Sequence, residues 1–235
     1  MTMQTDTIPA AGGKRIPVLT DIARAASLLR GGAVLCYPTE TFFAVGCSAF
    51  SLAGIAGVYA AKQRPASMPL PVIIGHRDQL KALVAEPKPA TECTPATDKG
   101  CLATARALAL AFWPAPLSLL LPASAAVPAM LTGGTGKIAV RFTPHPVAAA
   151  LCRAAGGALV STSANVSGHP AVTEAARLDP VLCAATQGVL DLPPAPSGGL
   201  PSTLVEIVSP GTLRVVRQGA FPLRALETVG YVLVD

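Results

Sequence analysis

The stretch from residue 107 to 131, "ALALAFWPAPLSLLLPASAAVPAML", limits the possible folds most sharply. It is too apolar for an exposed loop, yet Pro114, Pro116, Pro122 and Pro128 cut it into short pieces. No uninterrupted run of about 18 apolar residues is left to span a bilayer. The pieces therefore read as buried elements of a globular core: a helix over about Leu102 to Phe112, then the strand "LSLLL". At 51% hydrophobic and 13% charged over 235 residues, the chain can fill one sizeable core and is a poor candidate for disorder.

Helical and extended patterns alternate around this region. "TDIARAASLLRGG" predicts a helix capped by Thr20, with Ile22, Ala25, Ala26 and Leu29 on one face and Gly31 at its end. "SLAGIAGVYAAKQRP" predicts a second helix, capped by Ser51 and stopped by Pro65, with Leu52, Ile55 and Tyr59 inward. "AVLCY", "LPVII", "KIAVRF", "GALVS", "GVLDL", "TLVEIV" and "TLRVVR" read as strands. Pro71 suggests an edge or bulged place for "LPVII". Short helices are expected over "RDQLKALV", from about Pro146 to Ala155 and near Pro222 to Thr228. The expectation is an α/β fold: a twisted mixed sheet with helices on its faces. Residues 1–14 are expected to form a flexible tail and 15–235 a single catalytic domain, with a Pro/Thr/Ala-rich surface insertion near 85–100.

Several chemistries lack their signatures. The N-terminus has no apolar core of a secretory signal, and the six cysteines form no C-x-x-C pair, so a reduced, cytoplasmic protein is expected. "GGTGK" at 133–137 is not a P-loop: Leu131 stands where its first glycine belongs, and Ile138 where Ser or Thr must follow the lysine. No G-x-S-x-G elbow is present. His76, His145 and His169 are scattered, and no cluster has metal-ligand spacing, so no metal-ligating residues are expected. His145, just before Pro146, reads as a helix-start residue rather than a base. The net charge of +5 permits an anionic ligand without demanding one.

Small polar residues instead gather where strands end: "YPTETFFAVG", "STSANVSG", "PST" at 201–203 and "RQG" at 217–219. Ligands of open α/β sheets bind beyond strand ends. Hydroxyls and a carboxamide there suit phosphate or carboxylate oxygens, and Lys62, Arg64, Arg141 and Arg217 can neutralise several negative charges. Each cluster alone is also ordinary turn chemistry; together, with four cations, they favour a ligand site.

In order along the chain, "GGAVLCYPTETFFAVGC", K-x-R-P at 62–65, "FWPAPLSLLLPA", "IAVRFTPHPVAAALC", "LVSTSANVSG" and "PSTLVEI…LRVVRQGA" resemble the YrdC-like family, the threonylcarbamoyl-AMP synthases. The resemblance runs from about Arg15 to Phe221 and suggests the short, single-domain form. It implies a YrdC-like fold around a deep basic cavity, and a nucleotidyl transfer. L-threonine, bicarbonate or CO2, and ATP would yield L-threonylcarbamoyladenylate and pyrophosphate, for threonylcarbamoyladenosine (t6A) modification of tRNA. It further implies Mg2+ carried by ATP with no dedicated protein site, a downstream tRNA threonylcarbamoyl-transferase machinery, weak RNA or tRNA contact, and no membrane.

By the same match Lys62 and Arg64 would be the catalytic cations. Thr39, Thr41, Arg64 and Ser163 would hold threonine. Lys62, Arg64, Arg141, Ser161, Ser163, Asn165, Ser202 and Arg217 would hold ATP. The chain departs from the usual pattern at Phe43, Ala44 and Ala115, and "PLPVII" lacks a histidine that longer members often carry there. Activity is expected to survive these changes. One alternative is a non-catalytic RNA-binding module of the same fold, against which stand a 4% aromatic content and the lack of an aromatic-laced basic stripe. The other is a carbamoyl-transfer domain of the hydrogenase-maturation type, whose acylphosphatase-like region and paired C-x-x-C motifs this sequence lacks.

Overall fold

A computed structural model describes residues 6–85 and 96–235, with side chains described from residue 100 in the second segment. The chain opens with β1 (Thr7–Pro9), β2 (Arg15–Leu19), α1 (Ile22–Arg30), β3 (Leu35–Pro38), β4 (Phe43–Gly46) and α2 (Leu52–Lys62). It continues through β5 (Val72–Ile74), a 3-10 turn (Arg77–Ala82), α3 (Ala96–Phe112), β6 (Leu117–Pro122), α4 (Ala129–Thr132), β7 (Lys137–Phe142) and α5 (Pro146–Ala155). After β8 (Leu159–Val160) and β9 (Thr162–Ser163) come α6 (Pro180–Ala184), β10 (Gly188–Leu190), β11 (Thr203–Ser209), β12 (Thr212–Arg217), α7 (Leu223–Thr228) and β13 (Val232–Val234).

Two mixed sheets stand where one was expected. The first runs β1-β2-β10-β3-β4-β9 and the second β13-β12-β11-β6-β7-β5-β8. One extended segment belongs to both: β8 pairs with β5 in the second sheet, and two residues on β9 pairs with β4 in the first. Ser161 sits at the crossing, its N–H donating to the Pro71 carbonyl at 2.9 Å. The sheets approach so closely there that a Cβ on Gly46 would stand 1.7 Å from the Val160 oxygen. Only glycine fits.

Local signals account for most helix boundaries. Ser51 caps α2 by accepting from the Gly54 N–H, and Gln63 ends it in the left-handed conformation, two residues before Pro65. The α1 cap is Asp21 rather than Thr20; its carboxylate accepts from the Ala23 N–H. His145 caps α5 with its ring, the helix-start role expected of it. α3 begins at Ala96, six residues before the expected start at Leu102. The rest of the expected 85–100 insertion lies outside the described residues except Ala85.

Other expectations are corrected. The tail expected through residue 14 contains β1, which pairs antiparallel with β2 from Thr7 opposite Pro17 to Pro9 opposite Arg15. β5 is an interior strand, between β7 and β8; Pro71 precedes it and so withholds no ladder donor. On α2, Leu52 is exposed, while Ile55, Val58, Tyr59 and Lys62 form the buried face. The larger core packs α2 and α3 residues such as Ile55 and Leu108 against Leu117, Leu119 and Val140. A second, smaller one joins α1 and α5 to Leu35, Tyr37, Ile73 and Leu159. Among the described residues no helix is long and apolar enough to cross a membrane.

Candidate active site

The ends of β3, β5, β7, β9 and β12 converge on a cavity of about 210 Å3. Its wall carries eight of the ten residues expected from sequence: Thr39, Thr41, Arg64, Arg141, Ser161, Ser163, Ser202 and Arg217. The polar turn after β3 folds over it, closed by Thr39, whose hydroxyl donates to the Phe42 carbonyl at 2.7 Å. In the antiparallel register of β4 and β9, Ala44 faces Ser163 and Val45 faces Thr162. Directly opposed residues share a face of the sheet. Ala44 and Ser163 thus border the cavity together, and Thr162 stands on the face of Val45, a core residue. Thr162 nevertheless borders the cavity as well, so the two faces are not cleanly separated.

Each guanidinium is braced by other protein groups. Arg64 donates to the Met68 and Pro69 carbonyls at 3.4 and 3.0 Å. Arg217 donates to the Ser202 carbonyl at 2.8 and 3.1 Å and to the Ser202 hydroxyl at 3.2 Å. The motif glycine beside it, Gly219, packs so tightly that a Cβ there would lie 2.1 Å from the Pro201 oxygen. Thr203, fully buried, locks the two segments together by accepting from the Gly219 and Phe221 N–H groups and donating to the Phe221 carbonyl. Arg141 pairs with Glu40. Burial first, then the charge of Arg217, pushes Arg141 down to about 10, the Tyr37 side chain acting against them. It stays cationic at neutral pH.

Lys62 and Asn165 are not on the wall. Lys62 Nζ donates to the Ser163 carbonyl at 2.5 Å, the Asn165 carbonyl at 2.7 Å and Asn165 Oδ1 at 3.4 Å. The Asn165 amide donates onward to the Val166 and His169 carbonyls. Both residues brace the serine loop from behind, directly beneath Ser163. The reason is the α2 periodicity, which carries Lys62 onto the buried face one turn after Tyr59 and Val58.

Burial and then the nearby charge of Arg64 push Lys62 down to about 8, against an ordinary 10.5. Between those two values the unfolded chain holds a proton that the folded chain has lost. Stability therefore rises with pH across this window, by at most about 1.4 kcal/mol per pH unit, and the full cost of charging is present below 8. Melting curves from pH 7.5 to 10 should show the wild type gaining on Lys62→Met as pH rises. A constant gap would place the Lys62 ammonium in a surface-like environment.

Nine further residues line the wall, among them the hydroxyl-bearing Ser118 and Thr162 and the aromatic Phe42. Ser118, whose hydroxyl lies 2.9 Å from that of Ser202, is the lone polar side chain in "LSLLL", a usable signal. Phe42 was read as part of the turn only. Among the described wall residues there is no histidine, cysteine or carboxylate. Four of the described thiols are poor nucleophiles: burial raises Cys47 and Cys152 to about 12 and Cys183 to about 11, and Cys36 is also well above its usual value. A larger cavity, about 290 Å3, borders α3, but its wall is mainly apolar. Of the cations at its rim, Arg77 is bonded to the Trp113 carbonyl and Lys81 to Asp78. The smaller cavity, with three guanidinium groups, five hydroxyl-bearing side chains outside the turn and no acid, is the one suited to a polyanion.

The Sua5/YciO/YrdC family model, described as telomere recombination, matches residues 27–219. A threonylcarbamoyl-AMP synthase of Alkalilimnicola ehrlichii is 38% identical over 176 residues, 74% of this chain and 84% of that protein. P. abyssi Sua5, solved in complex with L-threonine, is 31% identical with a TM-score of 0.78, over 91% of this chain and 58% of that one. This chain thus spans less than two thirds of the P. abyssi protein. E. coli YciO, 20% identical with a TM-score of 0.67 over 87% of this chain and 92% of that one, shares the fold.

Proposed function

The chain belongs to the Sua5/YciO/YrdC family, and from that premise we propose that its cavity makes L-threonylcarbamoyladenylate and pyrophosphate from L-threonine, bicarbonate or CO2, and ATP. The protein is a nucleotidyltransferase of tRNA threonylcarbamoyladenosine synthesis, acting in the cytoplasm and handing its product to a tRNA threonylcarbamoyl-transferase machinery. The observation that carries this reading is the convergence of Arg64, Arg141 and Arg217 with Ser161, Ser163 and Ser202 on one wall, in a chain 38% identical to a synthase over most of that synthase's length.

The chemistry needs no protein nucleophile. The threonine amine adds to CO2 and loses a proton, giving a carbamate. A carbamate oxygen then bonds to the α-phosphorus as the bond to the pyrophosphate oxygen breaks. Charge accumulates on phosphate oxygens, where the three guanidinium groups and the serine hydroxyls stabilise it, and the rest is positioning. Arg64 and Arg217 flank the region for the phosphates, while Thr39, Thr41 and Ser163 serve the threonine side. Mg2+ arrives with ATP as part of the substrate. Incubation with ATP, bicarbonate and threonine should produce the adenylate, detected by mass spectrometry. ATP-independent RNA binding with no adenylate would favour the non-catalytic alternative instead.

Ser163 gives a sharper test. A hydroxyl donating to a charged oxygen contributes about 1.5–3 kcal/mol, so Ser163→Ala should lower synthesis about tenfold to a hundredfold with little change in melting temperature. Thr162→Val keeps the shape of a side chain on the Val45 face and should lower synthesis far less, despite bordering the cavity. Equal losses from the two substitutions would remove Ser163 from the substrate contacts.

A further inference from the structure

Glu40 stands in sequence between two threonines of the cavity wall, yet is not itself on that wall. Its carboxylate pairs with Arg141, the two side chains being 14% and 8% exposed, and accepts a hydrogen bond from the Thr143 hydroxyl at 2.8 Å. Its backbone carbonyl accepts from the Ser197 hydroxyl at 2.7 Å and from the Ser197 N–H at 3.2 Å. Four hydrogen-bonding or ionic contacts thus fix this residue in place. Arg141 is also near enough to Arg217 for that second charge to disfavour its own. Without Glu40, the wall would hold three guanidinium groups with no counter-charge behind them.

A carboxylate is an expensive group to bury unless its partner needs it. Arg141 has five N–H donors, enough to hold Glu40 and still face an anion. A triphosphate entering the cavity therefore meets an arginine that is correctly aimed but already part-neutralised. Uniformly tight binding of nucleotide would not speed the transfer, and it would retain pyrophosphate, which carries the charge the same arginines grip.

We propose that Glu40 is a positioning residue acting through Arg141: it aims the guanidinium at the cavity and weakens its hold on phosphate, so that ATP binds less tightly and pyrophosphate leaves faster. This rests on the synthase reading above. The test is calorimetric binding of ATP, with threonine and bicarbonate left out, and of pyrophosphate, to wild type and Glu40→Gln, with steady-state kinetics on both. Glutamine keeps the length and an oxygen for Arg141 while removing the charge. Both ligands should bind about tenfold more tightly to the variant, with KM for ATP and kcat falling together as release slows. A support role alone would weaken binding and raise KM. Unchanged or weaker pyrophosphate binding overturns the proposal. Should Glu40→Gln fail to fold, Glu40→Asp, which keeps the charge but draws it back from Arg141, should tighten pyrophosphate binding about twofold to threefold, and no tightening overturns it equally. Wild-type protein that binds neither ATP nor pyrophosphate overturns both this inference and the synthase reading.

Discussion

Replacing Arg141 with methionine is expected to lower the melting temperature by about 6–20 °C and to abolish measurable synthesis. Methionine retains most of the apolar stem, so little of the loss comes from packing. The cost comes from Glu40, whose carboxylate would stay buried with only the Thr143 hydroxyl as a side-chain donor. Breaking a buried pair from one side costs about 3–5 kcal/mol, a large part of a total stability of about 5–15 kcal/mol. At roughly 2–4 °C per kcal/mol for a domain of this size, the stated drop follows. Adding Glu40→Gln to Arg141→Met should recover more than half of the lost stability, because the stranded charge is gone, but none of the synthesis. Differential scanning calorimetry on the single and double variants checks this. A double variant no more stable than Arg141→Met would show that the pair is not the source of the loss.

Arg64→Ala should separate activity from stability in the opposite way. Arg64 is half-buried on the cavity wall, and its protein partners are two carbonyls of a turn rather than a buried acid. Removing it strands no charge, and folding should be nearly unaffected. A guanidinium paired with phosphate in a desolvated cavity is worth about 2–5 kcal/mol to truncate, or roughly two to three decades in kcat/KM. Threonine-dependent pyrophosphate release gives the rate, and a melting curve gives the control. Near-wild-type kcat/KM would remove Arg64 from the phosphate clamp, and a loss of activity matched by a loss of stability would make it a brace for the 68–69 turn.

These two arginines mark how far reading residues in order carries. Helix boundaries were legible where the signal lies within a turn of the chain: Ser51 ahead of α2 and Pro65 after it, His145 and Pro146 at the start of α5. The same holds for the polar clusters at strand ends. Hydroxyls and cations at those points are costly to bury and of little use to a strand, so they were readable as candidate site residues before any contact was known. Eight of them share one wall.

What the sequence by itself determined is an α/β chain whose prolines forbid a membrane helix, and a set of hydroxyls and arginines gathered at strand ends and suited to an anionic ligand. Tertiary structure alone decided which of those groups line the cavity. Lys62 meets Asn165 across 103 residues of chain, and Arg141 meets Glu40 across a comparable span; no local pattern encodes such a meeting. The division into two sheets has the same origin. A single residue, Ser161, separates β8 from β9, and nothing in its neighbours marks the crossing, because pairing partners are chosen by strands that lie far away in sequence. Propensity, capping and periodicity act over about four residues, whereas the burial that turned Lys62 inward and paired Glu40 with Arg141 is settled only when distant segments close on one core.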